Sequence, residues 1–226
     1  MPTFSKRLSV IASLVPVGAR VCDVGTDHGY LSIELIKSGV AESVIATDIN
    51  PKPLGNAEKN IKAAKVEGIE LRLCDGLSGV EPGEADTAVI AGMGGEVISG
   101  IIYRGEAVAK SGITLILQPT TSPEYLRRFL CENGYEIEKE LPVFENGKLY
   151  SVMLCRYTGR VAVREEYYYY IGALNCETQE GRRYIEKQYN RCFSCMSALE
   201  GVVSKGAEYN LYKQICRDLE NVLNGG

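Results

Sequence analysis

Two hydrophobic periods alternate along the chain as far as residue 156. Short apolar runs of strand length, Arg20–Val24, Ser43–Thr47, Glu70–Cys74, Thr87–Ala91 and Ile113–Leu117, are separated by segments with helical spacing. The first helix is predicted over Phe4–Leu14, with Leu8, Ile11, Ala12 and Val15 on one face, and Pro16-Val17-Gly18 ends it. Tyr30–Lys37 follows the first strand as a helix. Asn50 and Pro51 open another that runs to about Lys65. A helix after Gly95 runs to about Tyr103, and Ser122-Pro123-Glu124 starts one that reaches Glu132. Tyr135–Val143 and Lys148–Arg156, joined by Glu145-Asn146-Gly147, read as an antiparallel hairpin. Strand and helix alternating in this way predict an α/β fold: a mostly parallel sheet with helices on both faces and a terminal antiparallel pair.

The pattern changes after Gly159. Ile185, Tyr189, Cys192, Met196, Leu199 and Val203 recur at spacings of 4, 3, 4, 3 and 4, a heptad seam. After a break at Lys205-Gly206, Tyr212, Ile215, Leu219 and Val222 repeat the spacing. Two seams joined by a short turn predict an antiparallel helical hairpin. The chain therefore divides into an α/β domain over 1–159 and a C-terminal α-helical coiled-coil hairpin over 160–226.

The strongest chemical signal is Asp23-Val24-Gly25-Thr26-Asp27-His28-Gly29-Tyr30, a strand that turns through glycines into a helix. A nucleoside cofactor sits at such a turn in open α/β sheets. The spacing is Asp-x-Gly-x-x-x-Gly, not the Gly-x-Gly-x-x-Gly of pyrophosphate binders. Asp23 and Asp27 would repel a pyrophosphate and attract a cofactor that carries an ammonium and a sulfonium, so the loop points to S-adenosyl-L-methionine before NAD. Gly25 and Gly29 allow close backbone approach, with Thr26, His28 and Tyr30 between and beside them. Asp48, followed by Ile49, ends the second strand 19 residues after Gly29. It can take both hydroxyls of a ribose or simply cap the next helix. Cys74-Asp75-Gly76 ends the third strand, where Asp75 and Gly76 read an adenine amino group or only form a turn. Ala91-Gly92-Met93-Gly94-Gly95 closes the fourth strand. It has no Asn/Asp-Pro-Pro-Tyr motif for exocyclic amines and leaves a small wall beside which a flat base fits. Gln118-Pro119 adds an amide for a base edge.

Bulk properties narrow the setting. The chain has 226 residues, a formal charge of −4, and no apolar run approaching the ~20 residues of a membrane span. Any polyanion site must then be a local patch. Eight scattered cysteines are expected as reduced, packed thiols in a cytoplasmic protein. Cys192-x-x-Cys195 has zinc-like spacing, but it lies inside the seam without a second pair or a nearby histidine, so packing is expected and no metal.

Ser5-Lys6-Arg7-Leu8, the loop through Leu31, Ala91–Gly95 and Leu117-Gln118-Pro119, taken together and in order, resemble the bacterial tRNA (adenine-22-N1)-methyltransferase family. Thr120 departs from the Asn expected after Gln-Pro. The resemblance covers the whole chain and implies a Rossmann-like class I methyltransferase sheet of seven strands, S-adenosyl-L-methionine as cofactor and tRNA as substrate. It also places Arg7 near the base pocket, where the alternative is a solvated helix face. N1 of an unpaired adenine has a free lone pair, so catalysis by alignment suffices. Asp27 is expected either at the base, where it can stabilise a cationic product ring, or at the cofactor. His28 is the one histidine, and hence the one candidate histidine base; its alternative is packing beside the cofactor.

RNA contacts are expected from Lys6 with Arg7, from Arg127 with Arg128, and from a helical stripe of Arg183, Lys187 and Arg191. Residues from Arg160 onward carry nine basic and nine acidic side chains, so a solvated face competes with that reading. Tyr167–Tyr170 can stack on bases or pack between domains. The competing functions are a small-molecule methyltransferase, and a non-catalytic protein that binds RNA and adenosylmethionine. A monomer is expected, with the seam closing on itself.

Overall fold

The computed structural model describes residues 4–225. Residues 1–3 and Gly226, which begin and end the two predicted units, lie outside the described residues. Seven strands form one sheet: β1 (Ala19–Val24), β2 (Ala41–Asp48), β3 (Ile69–Leu73), β4 (Thr87–Gly94), β5 (Thr114–Thr121), β6 (Tyr135–Glu145) and β7 (Lys148–Tyr157). Their order across the sheet is β3-β2-β1-β4-β5-β7-β6. The first five are parallel, and β7 runs antiparallel to both β5 and β6. The helices are α1 (Lys6–Leu14), α2 (Tyr30–Lys37), α3 (Pro51–Ala64), α4 (Gly95–Arg104), α5 (Glu106–Ala109), α6 (Pro123–Glu132), α7 (Glu166–Ile171), α8 (Gln179–Leu199) and α9 (Gly206–Leu223).

Sequence dictates these elements locally. Ser5 caps α1 by accepting from the Leu8 amide at 3.2 Å. Pro51 and Pro123 stand in the first turns of α3 and α6, where a missing N–H costs nothing. In β4, Ala88, Val89 and Ile90 are wholly buried in succession, as expected of a central parallel strand covered on both faces. One core cluster packs Ile90, Ile98 and Leu117; the other packs Ile11, Leu35 and Val89 on the opposite face.

Predicted strands and helices match the observed ones within a few residues. The largest extension is β5, which runs on through Gln118 and Pro119 to Thr121. The short helices α5 and α7 escape the sequence pattern because each is too brief to show a period. In the C-terminal hairpin, Ile185, Cys192, Ile215 and Leu219 bury together, as the seam predicts. Val203 does not join them and is 97% exposed. The break comes earlier than predicted: α8 stops at Leu199, and Gly201 turns the chain at a φ of 78°.

Arg127 corrects a second expectation. It is fully buried and cannot touch RNA. Its guanidinium donates to Glu140, to the Tyr169 and Tyr170 carbonyls, to Ser151 and to the Tyr184 hydroxyl. It ties α6 to the sheet and to α7. The tyrosine run forms α7, with Tyr169 and Ile171 buried.

Candidate active site

The strand order reverses between β1 and β4, and the carboxyl ends of both strands open on one crevice. Ligands bind open α/β sheets at such a switch point. Asp23 lies near the end of β1, in register with Ala46 of β2 and Val89 of β4. It is buried, and one of its oxygens accepts from Ser32 at 2.6 Å and Thr26 at 2.8 Å. Burial raises its carboxyl above the ordinary range, against the lowering effect of both hydroxyls. Thr26 is thus a support for Asp23 and is itself 8% exposed.

The loop that follows is folded by positive φ angles. Gly25 and Gly29 lie at 73° and 71°, and Asp27, which has a Cβ, at 48°. A non-glycine residue held in that region stores strain of a kind concentrated at functional sites. A Cβ on Gly25 would meet the Met93 methyl carbon, and one on Gly29 would approach Ala57 Cβ to 3.2 Å. Met93 therefore lies across the crevice over the loop. The Asp27 and His28 side chains reach solvent, 66% and 45% exposed, with Nε2 3.6 Å from Oδ2. The His28 ring stacks on Tyr30 at 5.3 Å, and its carbonyl accepts from Asn60.

At the end of β2, Asp48 Oδ1 accepts from the Asn50 amide at 2.8 Å, a turn contact that uses one carboxylate oxygen. Beside it Ile49 is 63% exposed, a large apolar face at a polar mouth. Asp75 behaves otherwise. Both its oxygens accept from Arg104 of α4, at 2.9 and 3.0 Å, so its carboxylate is already engaged. Gly76 turns there at a φ of 62°, with Ile101 filling the space a side chain would need.

The glycine wall is narrower than predicted. Gly92 is exposed, whereas Ala91, Met93 and Gly94 are half-buried. Gly95 is buried against the Ser122 carbonyl, so it serves the α4–α6 packing and does not face a base. Gln118 also changes role. It is fully buried, and its Oε1 accepts from Arg7 Nη1 at 2.9 Å and from the Gly92 amide at 3.1 Å. Its Nε2 donates to the Pro119 carbonyl. Its oxygen is fully used and the side chain is wholly buried, so it does not reach a base edge; Gln118 instead ties Arg7 to the wall. Glu145 and Tyr150, which sequence reasoning missed, complete the setting of Arg7. Glu145 accepts from the Arg7 amide at 3.0 Å, and the guanidinium lies 5.5 Å from the Tyr150 ring centroid. Their place on the β6–β7 hairpin carries no local motif.

Of the predicted basic residues, Lys6, Arg183, Lys187 and Arg191 lie along the junction between the α/β part and α8, whereas Arg128 lies at α7. Lys6 lies 3.7 Å from Glu180, Arg183 stands over the Phe144 ring at 4.9 Å, and Arg191 pairs with Glu124 at 2.6 Å. Lys187 donates a long 3.4 Å contact to the Leu149 carbonyl. Arg128 pairs with Glu166 and covers the Tyr169 ring at 4.0 Å. The stripe thus borders the sheet, and its three side chains are partly engaged by Phe144, Leu149 and Glu124. Cys192 is buried in the hairpin, all eight cysteines are free thiols, and no metal-holding cluster occurs among the described residues. No described helix is long and apolar enough to cross a membrane.

An acid-lined glycine loop at the switch point of a seven-stranded sheet of this order defines a Rossmann-like methyltransferase fold. A methyltransferase-domain model matches residues 4–153, and the chain belongs to that family. It is 34% identical over 151 residues to the tRNA (adenine(22)-N(1))-methyltransferase of Bacillus subtilis, covering 66% of this chain and 63% of that enzyme. The match thus spans less than two thirds of the curated relative's length. In solved structures the likeness runs nearly end to end. The B. subtilis m1A22 tRNA methyltransferase TrmK superposes with a TM-score of 0.85 at 25% identity, over 99% of this chain and 100% of that one. M. capricolum TrmK, in complex with the cofactor product S-adenosyl-homocysteine, gives 0.81 at 25% identity over 97% and 99%.

Proposed function

We propose that the protein transfers a methyl group from S-adenosyl-L-methionine to N1 of adenine 22 in tRNA. The observation that carries the reading is the convergence on one crevice of the acid loop, the exposed Gly92 and Arg7, with Gln118 bridging the last two. The crevice fits the cofactor on its own chemistry. Asp23 offers a buried acid to a cation, Asp48 keeps one oxygen for a ribose, and Ile49 gives an adenine face an apolar neighbour. When bound, S-adenosyl-L-methionine supplies an electrophilic methyl group. Gly25, Thr26, Gly29 and Tyr30 shape its seat, with Gly76, Ala91 and Met93 at the margins.

The chain's own residues then orient the base. Gly92 and the half-buried Gly94 leave room for a flat ring, and Arg7 is fixed beside them by Gln118 and Glu145. N1 brings its own lone pair, so alignment supplies most of the rate, and oriented reactants gain about 7–11 kcal/mol. Asp27 and His28 stand at the open side of the loop, where a carboxylate stabilises the positive charge of the product ring. N1 is hidden in a paired stem, so the base must be unpaired or extruded.

Residues 160–225 act as a unit that holds the RNA, with Lys6, Arg183, Lys187 and Arg191 along its border with the α/β domain. The near end-to-end likeness to tRNA methyltransferases supports that role. The test is methyl transfer from labelled S-adenosyl-L-methionine to unmodified tRNA carrying or lacking A22. Transfer only to the A22 substrate is expected. Transfer that ignores A22 overturns the specificity, and labelling of small molecules alone returns the reading to a small-molecule enzyme.

A further inference from the structure

A second concave site lies outside the crevice, between the end of β5 and the inner face of α8. Thr120, Thr121, Tyr150, Lys187, Gln188 and Arg191 are among its lining residues, and it encloses about 360 Å³. That is the size range of sites that seat small organic groups. Gln188 is only 4% exposed, and its buried Oε1 has no hydrogen-bond partner among the described residues. A buried acceptor left unpaired is costly, and because Gln188 lines the notch, a turn of its amide toward the cavity brings it to an incoming donor. One helical residue away, Lys187 has no carboxylate within ion-pair distance among the described residues. Arg191 is already neutralised by Glu124.

Two side chains join the notch to the wall of the crevice. Tyr150 lines it and also underlies the Arg7 guanidinium. Thr120, another lining residue, donates from Oγ1 to the Met93 carbonyl at 3.0 Å. These two side chains bridge the notch and the surroundings of Gly92, where a strand delivering a base could pass from one to the other.

We propose that the notch is a nucleotide subsite for the ribose and phosphate that adjoin the methylated base on one side. The Gln188 amide takes the ribose 2′-hydroxyl, and the Lys187 ammonium faces the phosphate. A hydroxyl both donates and accepts, so it satisfies the amide in either orientation. An anion would meet the Gln188 oxygen unfavourably and belongs at Lys187. The subsite rests on the tRNA reading above, and it makes the enzyme select RNA over DNA at a nucleotide it does not modify.

The test uses full-length protein and A22 tRNA with a single 2′-deoxy substitution at the nucleotide on either side of A22. With wild-type protein, one of the two substitutions is expected to lower kcat/KM about tenfold. Gln188→Leu is expected to respond less than twofold to the same substitution. Lys187→Gln, an exposed change, is expected to leave cofactor affinity unchanged and reduce the slope of log affinity for tRNA against log salt by about 1. Indifference of wild type to both deoxy substitutions overturns the subsite, as does a full penalty retained in Gln188→Leu. If Gln188→Leu does not fold, an unchanged salt slope in Lys187→Gln overturns it. Failure of wild type to methylate the all-ribose tRNA defeats the underlying reading instead, and the subsite with it.

Discussion

The loop after β1 and the node around Arg127 are built from the same materials, acids and a cationic or ionisable partner, and they are opposites. At the node, Arg127 and Glu140 are both buried, and each guanidinium nitrogen donates to an acceptor. At the loop, Asp27 holds a left-handed backbone angle of 48°, and among the described residues its one ion-pair neighbour is His28 at 3.6 Å. Saturated charge holds structure together, whereas unsaturated and strained charge awaits a ligand. Asp23 stands between the two conditions, buried like the node yet placed beside the crevice.

Substitutions can break this contrast. The largest effect is expected at the node. Arg127→Met leaves Glu140 buried without its partner and should destabilise the protein by about 3–5 kcal/mol in urea unfolding. Asp23→Ala removes an acid that the fold holds under protest, so stability should survive. Its cofactor affinity, measured by calorimetry, should fall at least about 100-fold because a charged contact is lost. Were Arg127→Met to stay stable, or Asp23→Ala to unfold, the contrast would fail. Asp27→Ala should lower turnover about tenfold while cofactor affinity changes less than about threefold, as expected for a group acting on the base. Equal loss of binding in the two aspartate variants would remove the base-facing role of Asp27.

The smallest effect is a slope with pH. Burial raises the Asp23 pKa in the fold, so the ionised form is the disfavoured one. Its contribution to apo-protein stability is most favourable below the unfolded carboxylate pKa of about 4 and declines as pH rises from there to the folded value. The stability of wild type minus that of Asp23→Asn should therefore fall over that interval and level off above it. A difference that rises with pH would show that Asp23 is stabilised as the anion before any ligand arrives.

Much of this was legible in the chain. Strand-helix alternation gives element order, because period 2 and period 3.6 are written in each segment on its own. The loop is legible for the same reason: its acids and glycines are neighbours in sequence. Arg127 was misread because Arg127-Arg128 looks like a surface pair until Glu140, Ser151 and Tyr184 arrive from three other elements. Gln118 was misread similarly. Its partners, Arg7 and the Gly92 amide, lie 111 and 26 residues away, and only tertiary packing brings them together. Val203 shows the limit of periodicity, since the seam continues in the spacing after Gly201 has already turned the backbone.

The Arg127 bonds to the Tyr169 and Tyr170 carbonyls reach beyond stability. They clamp the chain just where the sheet hands over to the helices, so the hairpin cannot swing as a tethered arm would. α8 has 21 residues and is about 30 Å long, and Tyr184 near its start is bonded to the same guanidinium. For an RNA that touches both the crevice and the far part of the hairpin, this span is a fixed gauge. A substrate whose stem is one base pair too long or too short would present its adenine off the mark. Under the tRNA methylation proposed above, selection would work by measurement, with the gauge set by a guanidinium that is itself fully buried.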